Sequence, residues 1–314
     1  MSLLPSWFWI AVVVFAALSQ TVRNTAQRSL SGGNAGALGA TLARFLYGIP
    51  LALVYVAALQ MLSGDALRLP NFSWPYLFWL ATGAAAQVAA TALLLGAMHH
   101  GNFVVAVTYS KTEVLQVALL GTLLLHEVPT GLSIASMVVA VVGVSLLMRA
   151  AMKPAPAGQA ASRFFGPAAL FGLGSGACFA YAAVGYRLAG LEMTAAGGIS
   201  PWHVSGWSVL LAQVMQSACI MAWLVLREPA ALRAVFSGWR VSLTAGMAGA
   251  MASFAWFLAY VLRPAADVRA LGMIEVVSSY LVSRSLMGER ILPLEKIGLV
   301  LVLLGGIGAC LGAR

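Results

Sequence analysis

Long apolar stretches separated by short polar breaks follow one another along almost the whole chain. Of the 314 residues, 61% are hydrophobic and 9% are charged, whereas about a quarter of the residues of a soluble domain are charged. A helix that crosses a membrane needs about 20 mainly apolar residues, and the stretches are continuous, unlike the alternating segments of a membrane β-barrel. The chain is therefore predicted to be an all-α integral membrane protein.

Ten of these stretches are long enough to predict ten transmembrane helices. They cover residues 6–26, 36–62, 74–97, 103–125, 131–149, 165–187, 203–226, 241–262, 268–287 and 293–312. Most connections between them are short, so consecutive helices are expected to be antiparallel neighbours. Residues 151–164, which are rich in small residues and proline, are predicted to link two five-helix halves, 1–150 and 165–314.

The two halves show an internal repeat. One constant displacement along the chain, the repeat shift, takes Glu113 to Glu275, Glu127 to Glu289, Leu132 to Leu294 and Gly143 to Gly305. Because each half has an odd number of helices, the second half would enter the membrane from the opposite face. Inverted repeats of this kind are typical of secondary transporters, whose substrate site lies between the repeats near the middle of the membrane.

Several short motifs carry a resemblance to a known family. They are Ala43-Arg44-Phe45, Leu125-His126-Glu127-Val128 leading into Gly143, and Met287-Gly288-Glu289-Arg290 leading into Gly305-Gly306. In order and spacing the chain resembles the drug/metabolite transporter superfamily, in particular the ten-span group with two EamA-type domains. The resemblance implies a multi-pass transporter of the cell (inner) membrane. The chain departs from that pattern at His126, where glycine is common, and in the seventh stretch, which has no arginine matching Arg44.

Polar residues deep in apolar stretches are the first candidates for a substrate site, because an uncompensated charge at the membrane centre costs about 2.5–3.5 kcal/mol or more. In the fourth stretch, Tyr109, Glu113 and Gln116 share one helical face. Lys111 lies on another side of that helix and is expected to pair elsewhere. In the ninth stretch, Glu275 and Ser278 repeat the pattern.

Two interpretations of the glutamates stay open. Glu113 and Glu275 could line a central cavity and bind a cationic group or a proton. They could equally form structural ion pairs, for instance with Arg44 or Lys111. Arg44 itself is either a brace or a ligand, and the polar stripe beginning at Gln20 and Arg23 is either cavity lining or a helix leaving the membrane. The remaining candidates for the cavity are Gln87, Tyr181 and Trp256.

The sequence lacks the zinc-binding, nucleophile-elbow and phosphate-loop motifs of enzymes. We therefore expect no enzyme activity, no catalytic residue, no metal and no cofactor. The predicted function is secondary transport of a small metabolite or drug-like solute by alternating access, with proton coupling and exchange both open. The alternative is a membrane protein that does not transport, such as an intramembrane enzyme, a receptor or an assembly partner.

The expected partners are the small-molecule substrate and the lipid bilayer, with monomer and homodimer both open. The net charge of +9 does not predict nucleic acid binding, because the arginines lie mostly at the ends of apolar stretches, where they set membrane topology. Counting lysine and arginine by side places both termini outside. Proteins of the resembled family have both termini inside, so the orientation stays open.

Overall fold

The computed structural model describes residues 5–62, 69–97, 103–151, 166–197, 199–287 and 292–313. Of these described residues 89% are helical and none is in a strand, which confirms the predicted all-α class. The described part contains fourteen helices. They are α1 (Phe8–Ser31), α2 (Gly36–Leu46), α3 (Ile49–Leu62), α4 (Trp74–Gly96), α5 (Phe103–Ser110), α6 (Glu113–Leu125), α7 (Gly131–Ala151), α8 (Pro167–Gly197), α9 (Pro201–Arg227), α10 (Pro229–Ser237), α11 (Trp239–Leu262), α12 (Ala265–Gly272), α13 (Ile274–Met287) and α14 (Pro293–Gly312).

Seven helical segments in the described part are long and apolar enough to cross a membrane, which makes the chain a multi-pass membrane protein. They are α2 with α3, α4, α7, α8, α9, α11 and α14. The other three predicted stretches differ for physical reasons. The polar second half of α1 lowers its hydropathy, and the stretches 103–125 and 268–287 are each divided into two short helices.

Three of the predicted stretches are each broken into two helices. Between α2 and α3, Pro50 has no N–H to donate to the carbonyl of Leu46, so the helix cannot continue without interruption. Between α5 and α6, the hydroxyl of Thr112 donates to the carbonyl of Tyr109 at 2.6 Å and competes with the helical hydrogen bonds. Between α12 and α13, the N–H of Met273 bonds to the carbonyl of Ala270, three residues back.

Helix boundaries recur at the spacing of the sequence repeat. The repeat shift moves the range of α5 (103–110) onto the range of α12 (265–272). It also takes the start of α7 at Gly131 to the start of α14 at Pro293. The two breaks correspond as well, because Glu113 begins α6 and its counterpart Glu275 is the second residue of α13.

The chain forms two compact units. Unit 1 consists of residues 1–85 and 185–263, and unit 2 consists of residues 86–184 and 264–314. Each unit therefore combines segments from both halves of the sequence. Most of the predicted linker, residues 152–164, lies outside the described residues.

Unit 1 is organised around α1 and α11, which form its main helix pair, with α9 packed on α2, α3 and α11. One end is closed by the short helix α10, which packs on α2. Leu30, Ala43, Val235 and Ala245 belong to the apolar cluster at that end. Small residues dominate the buried positions of α11, so its neighbours approach closely.

Unit 2 is organised around the antiparallel pair α7 and α14. A Cβ atom added at Gly143 of α7 would lie 2.7 Å from the carbonyl oxygen of Gly298 and 2.8 Å from the nitrogen of Val302. A Cβ atom added at Gly305 of α14 would lie 2.7 Å from the carbonyl oxygen of Ser136 and 2.9 Å from the nitrogen of Ala140.

These two contacts correspond under the repeat. The repeat shift takes Gly143 to Gly305, and it takes positions 136 and 140 to positions 298 and 302. The two residues that Gly143 contacts are thus the repeat counterparts of the two residues that Gly305 contacts. A contact with this property is reciprocal, like the interface of a twofold-symmetric dimer.

Candidate functional site

Two ion pairs, each with a buried carboxylate and a partly buried cation, lie at the helix breaks of unit 2. Lys111 donates through Nζ to Oε1 of Glu275 at 2.5 Å. Arg269 of α12 pairs through Nη2 with Oε1 of Glu113. The two carboxylate side chains are only 4% and 8% exposed for Glu113 and Glu275. Each glutamate is thus neutralised by a cation that comes from the other broken helix pair.

The breaks explain where these charges can sit. Glu113 and Glu275 lie in the first turns of α6 and α13, where the unpaired N–H groups of a helix favour negative charge. A break within an apolar stretch thus places the N-terminus of a helix, with its unpaired N–H groups, inside the unit and not at its surface. The cations complete the compensation that a charge in an apolar region requires.

The ion pair of Glu275 with Lys111 is one that the sequence analysis named as an alternative, and the structure forms it. Two other expectations are corrected. Glu113 pairs with Arg269, and not with Arg44 or Lys111. Tyr109 ends up on α5 and Gln116 on α6, so the expected stripe does not run along one continuous helix. Gln116 donates to the hydroxyl of Thr112 at 3.1 Å.

Other charged and polar groups of unit 2 form hydrogen bonds within one helix or between two helices. Ser278 donates to the carbonyl of Glu275 within α13 at 3.1 Å. Asp267, buried on α12, accepts a hydrogen bond from Ser133 of α7 at 3.3 Å. Gln87 and Tyr181 lie on α4 and α8, with Tyr181 half-buried. Arg269 and Asp267 were missed by the sequence reasoning, although both are charged residues at the start of an apolar stretch.

A second polar cluster lies in unit 1. Trp256 of α11 donates its indole N–H to Oε1 of Gln20 on α1 at 2.9 Å. Arg23 lies one turn further along α1, is 9% exposed and donates to Oδ1 of Asn24 at 2.7 Å. Arg44 of α2 is also 9% exposed, and its guanidinium lies 4.2 Å from the ring centre of Phe45. Four of the predicted site residues therefore belong to this cluster.

The two arginines converge on Gly249 of α11. A Cβ atom at that position would lie 3.0 Å from Cγ of Arg44 and 3.3 Å from Cδ of Arg23. Their positive charges interact electrostatically with each other, and Arg44 also interacts with the hydroxyl of Tyr186 on α8. Among the described residues, no carboxylate forms an ion pair with Arg44. Arg44 therefore contrasts with the paired glutamates of unit 2.

Helix α9 contributes a row of buried polar groups to unit 1. Gln216 donates to the hydroxyl of Tyr186 at 3.1 Å. Gln213 is 2% exposed, and neither its amide nitrogen nor its amide oxygen has a hydrogen-bond partner among the described residues. Its amide lies beside the break between α2 and α3, because a Cβ atom at Gly48 would be 2.8 Å from Nε2 of Gln213 and 3.1 Å from the carbonyl oxygen of Arg44. The hydroxyl of Ser217, one turn along α9, is also unpartnered there.

Arg187 has a structural role in the same unit. Its Nη1 atom donates to the carbonyl oxygens of Tyr260 at 2.5 Å and of Arg263 at 2.6 Å, at the end of α11. A cation at this position satisfies carbonyl groups that a helix leaves without a partner at its C-terminus. Arg187 thus caps α11.

An apolar cavity of about 410 Å³ also lies in unit 1. Aromatic side chains from four helices dominate its walls, with Phe8, Phe15, Tyr55, Trp202 and Phe254 among them. The rings of Tyr55 and Phe254 stack with their centres 4.2 Å apart. No polar side chain other than the tyrosine and the tryptophan lines it among the described residues.

The described residues contain no group of three or more His, Cys, Asp and Glu side chains that could hold a metal ion. The three cysteines are free thiols.

Comparison with known proteins identifies the fold but no family. No protein-family model matches the chain, and no curated protein sequence matches it. Twenty-eight chains of solved structures match. One of them, described only as "Crystal structure of protein", has a TM-score of 0.68 and 16% sequence identity, over 96% of this chain and 98% of the other. Over that 96% of its length the chain therefore has the fold of a known structure.

Proposed function

We propose that the protein is a secondary transporter that moves a small metabolite or drug-like solute across the cell (inner) membrane by alternating access. Ten helical segments, three of them broken, cross the membrane as two inverted five-helix repeats of the EamA type. The protein is not an enzyme. It uses an ion or solute gradient as its energy source, with proton coupling and exchange as the two alternatives.

The observation that carries this proposal is the reciprocal contact between α7 and α14. These helices are antiparallel, and their contacts exchange under the repeat shift. An antiparallel pair related by a twofold axis has that axis perpendicular to the helices. For helices that cross a membrane, such an axis lies in the membrane plane, which is the symmetry of inverted-repeat transporters.

The broken helices give further support. Discontinuous helices at the repeat interface form the substrate and ion sites of many transporters. Here the breaks of α5/α6 and α12/α13 carry the two ion pairs. During transport, a proton or a solute cation competes for a carboxylate and releases its Lys111 or Arg269 partner. Because the ion pairs join α5/α6 to α12/α13, their release allows these helices to rearrange.

The test is solute flux in proteoliposomes against a metabolite panel, with and without a pH gradient. Glu113→Gln removes the charge of a buried paired carboxylate, and Glu228→Gln makes the same change at an exposed position. We expect the wild type and Glu228→Gln to transport equally, and Glu113→Gln to lose most of its rate or its pH dependence. If Glu113→Gln transports at full rate with unchanged pH dependence, its role in coupling is wrong. If no panel member crosses the membrane, a receptor or assembly role replaces transport.

A further inference from the structure

The charges of the two units differ in a way that bears on the substrate. In unit 2, both glutamates at the helix breaks already have a cationic partner. They are thus occupied in this conformation. In unit 1, two arginines are buried side by side, and the described residues supply no carboxylate to Arg44. Burial without neutralisation is costly for a guanidinium group.

The surroundings of Arg44 do not remove this cost. Its contacts include the ring of Phe45 and the hydroxyl of Tyr186, and neither carries a full negative charge. The charged group that acts on it is the second guanidinium, of Arg23, which repels it. A negative group placed between the two arginines would relieve the repulsion and accept hydrogen bonds from both. Guanidinium groups are well suited to this because their planar forks match carboxylate and phosphate oxygens.

Gln213 gives an independent sign of a missing partner. The residue is only 2% exposed, yet both polar atoms of its amide lack partners among the described residues. Buried amides in native proteins are almost always hydrogen-bonded. The amide lies against Gly48 and the carbonyl of Arg44, so it belongs to the same region of unit 1. A polar solute held by the arginines would provide the hydrogen bonds that Gln213 lacks.

We propose that unit 1 holds a binding site for an oxyanion, a carboxylate or a phosphate, formed by Arg23 and Arg44 with Gln213 as a neutral hydrogen-bonding group. The site makes the transported solute an organic acid or a phosphate ester, and not an amine. This inference rests on the proposed transport function for its biological meaning, but binding itself can be measured without transport.

Gly249 and Trp256 have supporting roles in the site. A Cβ atom at position 249 would make tight contacts with the stems of both arginines, so glycine leaves room for the two stems to converge. The hydrogen bond from Trp256 to Gln20 at 2.9 Å fixes α11 against α1, one turn before Arg23. The indole is thus bonded to a residue one turn from Arg23 on α1, and we use its fluorescence as one readout of binding.

The experiment is a thermal-shift and tryptophan-fluorescence titration of the full-length protein in a maltoside detergent. The probes are inorganic phosphate, acetate and a panel with equal numbers of carboxylates, phosphate esters, amines and neutral solutes. We expect the stabilising members to be acids. Their Kd should rise roughly ten- to hundred-fold in Arg44→Gln and in Arg23→Gln, because each change removes a charge-assisted hydrogen bond. The control is Arg240→Gln, at an exposed position on α11, which should bind as the wild type does.

A second variant guards against misfolding. Arg44→Lys keeps the positive charge, so it should recover part of the affinity that Arg44→Gln loses, while both elute as monodisperse protein. Stabilisation by amines or neutral solutes alone, or by no acid at all, overturns the proposal. So does a wild-type affinity for acids in both Arg44→Gln and Arg23→Gln. Displacement of the acid by phosphatidylglycerol but not by phosphatidylcholine would show a lipid headgroup site, and that also overturns a solute site.

Flux measurements separate this inference from the proposed function. If acids bind but no solute crosses proteoliposomes, the oxyanion site stands and transport fails. If amines cross and acids neither bind nor cross, transport stands and the oxyanion site fails.

Discussion

The contact between α7 and α14 predicts that two distant glycines are equally important for stability. In Gly143→Ala, the new Cβ atom would lie 2.7 Å from the carbonyl oxygen of Gly298. In Gly305→Ala, it would lie 2.7 Å from the carbonyl oxygen of Ser136. The obstructing atoms are backbone atoms of the facing helix in both variants, so a side-chain rotation cannot relieve the clash.

The size of the effect follows from these distances. To bring a 2.7 Å contact to the ordinary limit of 3.4 Å, α7 and α14 must separate by several tenths of an ångström along the main helix contact of unit 2. Overpacking of this kind costs about 1–3 kcal/mol. Alanine is a better helix former than glycine by about 1 kcal/mol, which offsets part of the cost. We expect each variant to lose up to about 2 kcal/mol of unfolding free energy, and to be about 1–3 kcal/mol less stable than a glycine-to-alanine variant without overpacking.

The assay is equilibrium unfolding in mixed micelles of mild detergent and dodecyl sulfate, followed by loss of helical circular dichroism. Gly121→Ala is the matched control, because Gly121 lies within α6 and a Cβ atom there meets nothing within 4 Å. That variant should be neutral or more stable.

The double variant tests the reciprocity itself. Once one alanine has moved the helices apart, the second should cost less, so Gly143→Ala with Gly305→Ala should lose less than the sum of the single losses. If Gly143→Ala is as stable as Gly121→Ala, or if the two glycine variants differ by more than about 1 kcal/mol, the packing argument is refuted.

Three further predictions concern the polar contacts. Glu113→Gln should destabilise the protein by about 2–3 kcal/mol in the same unfolding assay, because it removes the buried carboxylate that pairs with the partly buried Arg269. Adding Arg269→Gln should recover part of that loss, and no recovery would contradict the pairing. Lys111→Met should cost less, about 1–2 kcal/mol, because the Lys111 side chain is 20% exposed and water screens it in part. Trp256→Phe should lose about 1 kcal/mol of unfolding free energy, the value of one buried hydrogen bond. Because that bond is then already absent, adding Gln20→Leu to Trp256→Phe should lose no more than a few tenths of a kcal/mol in addition.

Much of the helical architecture could be predicted from the sequence. The length and position of the apolar runs located most of the helices, because in a membrane the backbone must satisfy its own hydrogen bonds and a helix is the simplest way to do so. The sixth stretch was predicted too short, since it was expected to end at residue 187 and α8 ends at Gly197. The internal repeat was also visible, and its shift matches the boundaries of α5 and α12. The buried position of Glu113 followed from its place within an apolar run.

The helix breaks and charge partners could not be predicted with the same methods. Pro50 was a visible signal for the break before α3, but the break at Thr112 depends on a local hydroxyl–carbonyl bond that composition does not reveal. The partner of Glu113 is 156 residues away on another helix, and helical spacing informs only on residues three or four apart. For the same reason, the convergence of Arg23 and Arg44 on Gly249 required the tertiary structure.

The way each unit draws on both halves of the chain has a consequence for synthesis. Helix α7 is made well before its partner α14, and α1 is made well before its partner α11. Unit 1 cannot fold completely until its second segment, which contains α11, has been inserted into the membrane. The same holds for unit 2 and its second segment, which contains α14. During that interval the face of α7 around Gly143 lacks its α14 partner, so it contacts lipid or the insertion machinery instead. The helix pairs of both units therefore form after their helices have been inserted. Deletion of α14 should leave unit 2 as an incomplete bundle that quality-control proteases can recognise.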